Sequence, residues 1–153
     1  MKRVRQFAGL SPPERWLLLR AAVLVAGVRL ALWTMPFRWV RFVLGTKMGA
    51  GPAVSPSLEA IRVTRLAWAV QAAARRVPGA SCLTQALALQ YLLAQTGERA
   101  EVHIGVAKDS ARGFEAHAWL EHRGAILVGD NGELKRYAPI LAVTGEERSS
   151  WPR

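Results

Sequence analysis

Residues 81–130 read SCLTQALALQYLLAQTGERAEVHIGVAKDSARGFEAHAWLEHRGAILVGD, and a change of period inside this stretch decides the fold. Over 81–96, Leu83, Ala86, Leu87, Leu89, Leu92 and Leu93 occupy most faces of a helix. Such a helix should be central and buried, and Gly97 suits its end. Beyond Gly97 the period falls to two. Val102, Ile104 and Val106 alternate with Glu101, His103 and Gly105, and then Ala116, Ala118 and Leu120 alternate with Glu115, His117 and Trp119. These are strand patterns. Arg123-Gly124 reads as a tight turn into a third strand over 125–128, and 134–143 supplies another strand or a short helix.

Upstream the chain is helical. Ser55-Pro56 opens a helix with Leu58, Ile61, Leu66, Trp68 and Val70, which ends near Arg75-Arg76. Before it lies a Gly/Pro-rich connector over 45–56. Earlier still, Ser11-Pro12-Pro13-Glu14 starts a helix through Trp16, Leu19, Val23 and Leu30 that breaks near Pro36. Helices followed by an antiparallel sheet define an α+β chain. We divide it into a basic, apolar helical segment, 1–54, and a catalytic-type domain, 55–153.

The 153 residues are 51% hydrophobic, enough for one packed core. The formal charge is +10, and residues 1–50 hold nine of the 21 lysines and arginines against one acid, Glu14. That segment favours anionic partners, a membrane surface among them. Its apolar run is interrupted by Arg20 and Arg29, which argues against both a membrane span and a signal peptide. The single cysteine excludes an internal disulfide and fits a reducing, cytoplasmic setting. One cysteine and three histidines at these spacings give no zinc motif. No phosphate-binding Gly-rich loop is present, and no cofactor is implied. The tryptophans at 16, 33 and 39 read as core or interface anchors rather than base-stacking platforms, so nucleic acid is not expected as a partner.

Cys82 falls in the first turn of the central helix, after a Pro-Gly turn. Most lone cysteines are small buried hydrophobes. This one sits where free backbone N–H groups and the positive helix end favour a thiolate and can hold an oxyanion. His117 is a candidate base on the less apolar face of its strand. If Arg123 and Gly124 are the two central turn residues, His122 pairs with Ala125, and counting back sets His117 opposite Asp130. A three-residue turn would set Gly129 there instead. Glu101, Glu115 and Glu121 are further carboxylates, but the two on His117's strand do not lie across from it. A carboxylate at that place fixes the imidazole tautomer. Gln71 and Gln85 are candidates for a second oxyanion donor.

At Ser81-Cys82-Leu83, Ile104-Gly105-Val106 and Phe114-Glu115-Ala116-His117-Ala118-Trp119-Leu120-Glu121, the chain resembles the transglutaminase-like leader peptidases of lasso peptide biosynthesis. The resemblance covers roughly 75–141. It implies a papain- or transglutaminase-like core, with a Cys-bearing helix packed on a small antiparallel sheet, and Cys82, His117 and Asp130 as triad. It implies a ribosomal precursor peptide as substrate and a separate ATP-using cyclase downstream. The first fifty residues are too few for a winged-helix recognition domain, so the resemblance is to the split type, whose recognition protein is a separate chain. Transfer of the thioester to an amine, as in a transglutaminase, and a non-catalytic membrane or assembly role are the competing readings.

Overall fold

The computed structural model describes residues 11–45, 55–109 and 113–143. The connector over 46–54, where the sequence sets the domain boundary, lies outside the described residues.

Helix α1 (Pro12–Thr34) begins at Ser11, whose backbone N–H and hydroxyl both donate to the Glu14 carboxylate, at 2.8 and 2.7 Å. Those two bonds hold the Glu14 pKa below its ordinary value. Pro36 separates α1 from α2 (Phe37–Gly45). Helix α3 (Pro56–Ala74) follows, then a turn, then α4 (Cys82–Gln95). The sheet comprises β1 (Glu101–Asp109), β2 (Gly113–His122), β3 (Ala125–Val128) and β4 (Ala138–Val143), in the order β3-β2-β1-β4 and antiparallel throughout. A short 3₁₀ turn, Leu134–Arg136, precedes β4 on the crossing from one sheet edge to the other. The 134–143 segment thus supplies both of the elements its sequence allows.

The core lies between the helices and one face of the sheet. Leu18, Ala21, Val25 and Val28 form a stripe along α1 and join Val70, Leu87, Leu89, Val102 and Leu120 in one cluster. Their spacing of three and four places them on one side of α1. Helix α4 is buried nearly all round, with Thr84, Ala86, Leu87, Ala88, Leu89, Leu92 and Leu93 inaccessible. Leu89→Ala in this setting should lower unfolding free energy by ~2–5 kcal/mol, read from urea denaturation of the two proteins.

The opposite sheet face carries a smaller cluster of Ala107, Trp119 and Tyr137, with Leu134 against it. Gly105 makes room there. A Cβ on it would lie 2.9 Å from the Tyr137 Cβ and 3.2 Å from the Trp119 ring.

The β2–β3 hairpin has the two-residue turn read from the sequence. Arg123 and Gly124 adopt φ of 50° and 79°, and His122 pairs with Ala125. The regular count then fails. Glu121 pairs with Ile126 but Leu120 pairs with Val128, so Leu127 is an extra residue in a bulge. The pairing of His117 with Asp130 expected from simple counting is therefore incorrect, and the paired strand ends at Val128.

Candidate active site

The segment leading into α4 is built from backbone constraints. Ala80 N–H donates to the Val77 carbonyl at 3.2 Å, closing a turn with Pro78 and Gly79 at its centre. Gly79 has φ +71°, the left-handed conformation that a turn of this kind needs at its third residue. A Cβ there would also meet the Arg29 guanidinium of α1 at 2.9 Å. Helix α1 thus buttresses the loop that carries the thiol.

Ser81 caps α4, and its Oγ accepts from Thr84 N–H at 3.3 Å. Cys82 is the first residue of the helix, half-buried and free of disulfide. Its amide and that of Leu83 belong to the first turn, where N–H groups have no intrahelical acceptor.

A cleft of about 670 Å³ runs from this helix start to the end of β3. Cys82, His117 and Asp130 all line it, together with Gln71, Arg75, Gln85 and Gly129. The three residues far apart in sequence thus meet at one cavity, and both glutamines named from the sequence are at its wall. His103 and His122 are not among its lining residues.

Shared lining is not a bonded row. Among the described residues no hydrogen bond joins His117 to Cys82 or to Asp130. The strand alternation assigns His117 to the face of Trp119, and its ring lies 5.2 Å from that of Tyr137 at an interplanar angle of 33°. His117 Nε2 is 2.6 Å from the Gly129 carbonyl. A carbonyl only accepts, so Nε2 carries the proton and the lone pair of the neutral ring is on Nδ1. A main-chain carbonyl thus stands at the imidazole N–H, where the sequence expectation sets the Asp130 carboxylate.

Gly129 makes this contact because nothing larger fits. Its φ is +85°, and a Cβ would fall 2.4 Å from the Ala118 carbonyl and 2.7 Å from the Trp119 Cα. The Asp130 carboxylate accepts from Gly132 N–H at 2.8 Å, and Asn131 Oδ1 accepts from Glu133 N–H at 3.0 Å. Two consecutive Asx turns therefore stiffen the loop bearing the Gly129 carbonyl. Asn131 Nδ2 donates to the Tyr137 hydroxyl at 3.3 Å, tying the same loop to the ring behind His117. Burial, and the neighbouring Glu115 carboxylate, push the Tyr137 phenol above its ordinary pKa, so it stays neutral. Gly129 enters the sequence reading only as the residue a three-residue turn would set opposite His117, and Tyr137 carries no site signal there.

Gln71 donates from Nε2 to the Leu127 carbonyl at 3.1 Å. The bulge thus presents an acceptor that pins a side chain of α3 at the cleft wall. One amide proton of Gln71 remains for other partners.

A second polar cluster lies elsewhere. Ligand-type atoms of Glu59, Glu98 and His122 fall within 4.8 Å of one another. Their charges already have partners. Arg123 approaches Glu59 at 2.6 Å and Glu98 at 3.6 Å, and Arg62 approaches Glu98 at 3.5 Å. His122 Nδ1 donates to the Arg99 carbonyl at 2.7 Å. The cluster clamps the β2–β3 turn to α3 and to the loop after α4. His103 is on the other sheet face, stacked on Trp119 at 5.4 Å with Glu101 and Glu121 each 3.7 Å from its Nε2.

A thiol at the start of a buried helix, on one cleft with a strand histidine of an antiparallel sheet, is an α+β arrangement that suits cysteine-dependent acyl transfer. A family model described as the transglutaminase-like superfamily matches residues 20–142, and the chain belongs to that superfamily. Its members are typically cysteine-dependent enzymes. The matched span includes most of α1 and all of the sheet except Val143, the last residue of β4. No curated protein and no solved structure matches the chain significantly.

Proposed function

We propose that this protein is a cysteine peptidase that removes the leader from a ribosomally made precursor peptide of the lasso type, with Cys82, His117 and Asp130 as its catalytic residues. The observation that carries the reading is the common cleft of Cys82 and His117, with the helix-start amides beside the thiol. His117 takes the thiol proton at Nδ1, the nitrogen left free by the Gly129 carbonyl. Catalytic hydrogen bonds often close only in the substrate complex. The sulfur attacks the carbonyl at the leader–core junction, and the Cys82 amide with Gln71 or Gln85 holds the oxyanion. His117 returns the proton to the leaving amine. Water, deprotonated by the same ring, then cleaves the thioester and releases the second fragment. Asp130 acts electrostatically on the imidazolium from the residue next to the carbonyl that holds it.

In this reading the partners are the precursor, a separate leader-recognition protein and the lasso cyclase, and the reaction takes place in the cytoplasm. The superfamily also supports an acyltransferase reading, in which an amine replaces water. Mass spectrometry of the precursor, treated with the recognition protein and an added primary amine, separates the two. Hydrolysis yields two free fragments. A cross-linked product would replace the peptidase by a transferase, and an intact precursor would refute both.

A further inference from the structure

Helix α1 has two apolar sides, and the core uses only one. Leu18, Ala21, Val25 and Val28 are packed inward, whereas Trp16, Leu19, Val23, Leu30 and Trp33 follow the other side at helical spacings of three, four and seven residues and are exposed. Trp33 is 77% accessible and Trp16 67%, and Trp39 on α2 is 53% accessible. Between α1, α2 and α4 lies a groove of about 580 Å³, lined almost wholly by apolar side chains such as Leu19, Val23, Met35, Val40 and Tyr91. A soluble monomer rarely leaves so continuous an apolar surface uncovered.

Charge selects what covers it. Helices α1 and α2 carry Arg15, Arg20, Arg29, Arg38 and Arg41 against Glu14 as the one acid. Glu14 is tied to Ser11. Exposed tryptophans spread over two helices, with arginines interleaved and a net positive charge, match the boundary between acyl chains and anionic headgroups. Length and composition would let α1 cross a bilayer. Spanning would pull Leu18, Ala21, Val25 and Val28 out of the core and set Arg20 and Arg29 in hydrocarbon. Lying along the surface keeps the inner stripe packed and sinks only the outer one.

We infer that the outer face of α1 and α2 is a docking surface for an anionic lipid bilayer, with Trp16, Trp33 and Trp39 as interfacial anchors. The contact is peripheral and independent of Cys82 chemistry.

The test is co-sedimentation of the full chain with vesicles of phosphatidylcholine alone and with about 30 mol % phosphatidylglycerol. Binding to the anionic vesicles should exceed that to neutral ones and weaken as salt rises from about 0.1 to 0.5 M. The triple variant Trp16→Ala/Trp33→Ala/Trp39→Ala should lose roughly tenfold or more in partitioning, and Arg38→Glu about fivefold or more. All four side chains are exposed, so circular dichroism should match wild type. Absence of sedimentation with anionic vesicles would overturn the inference. So would equal binding by the triple variant. A dimer in light scattering that the triple variant abolishes, without vesicle binding, would assign the face to a second copy instead.

Discussion

Cys82→Ala is expected to abolish precursor cleavage, lowering the rate by at least ~10⁴-fold, because a nucleophile that forms a covalent intermediate has no substitute nearby. The fold should not notice. Cys82 is half-buried and stands at the first position of α4, where alanine is well tolerated. The cap bond from Ser81 to Thr84 does not involve its side chain. Denaturation midpoints of the two proteins should therefore coincide while activity disappears. Two further readouts tie the loss to the sulfur. Brief treatment of wild type with iodoacetamide should add one carboxamidomethyl group, at the single cysteine, and inactivate it. Quenching a reaction in acid should trap a peptide mass on wild-type protein that Cys82→Ala lacks. His117→Ala should fall to a similar residual level, since nucleophile and base act as a unit and their losses do not add. Full activity in Cys82→Ala would end the cysteine-enzyme reading of this chain.

How far the sequence reaches can be judged from particular residues. Gly97 marks the switch from helical to alternating period because each side of it buries apolar groups in only one geometry. Gly124, between two alternating runs, gives the hairpin turn because glycine takes a positive φ without steric cost, and Arg123 adopts φ 50° beside it. Cys82 at a helix start was legible from Pro78-Gly79 and Ser81 for the same local reason. What failed was non-local. The bulge at Leu127 shifts the β2–β3 register, yet a bulge is set by the partner strand and the packing around it, which one strand's sequence does not encode. Its consequence is chemical, since it exchanges a carboxylate for the Gly129 carbonyl at His117. The return of β4 to the far side of β1 was equally hidden, because edge selection depends on what covers each edge. Apolar residues all round α1 left its orientation open until α3 and α4 claimed one side.

Gly129→Ala is the substitution that tests the bulge's chemical role. The native φ of +85° is costly for alanine, at about 1–3 kcal/mol. The added Cβ would also sit 2.4 Å from the Ala118 carbonyl, so the backbone must move. Any such movement withdraws the carbonyl from His117 Nε2, now 2.6 Å away. A loss of stability of ~2 kcal/mol and of activity by ~10²-fold or more is expected, the latter because small displacements of a catalytic group are amplified in the rate. The control is Asp130→Asn, which keeps an oxygen to accept from Gly132 N–H and so preserves the loop. If the main-chain carbonyl sets the tautomer, this variant should lose only about tenfold, the share due to charge near the imidazolium. Nitrogen-15 spectra of the His117 ring provide a readout that does not depend on turnover. Wild type and Asp130→Asn should both show the proton on Nε2, and Gly129→Ala should show a mixture of tautomers. A loss of ~10⁴-fold in Asp130→Asn, with Gly129→Ala close to wild type, would return the orienting role to the carboxylate. Either pattern identifies which atom holds the base, and the bulge explains why neighbouring residues 129 and 130 compete for that role.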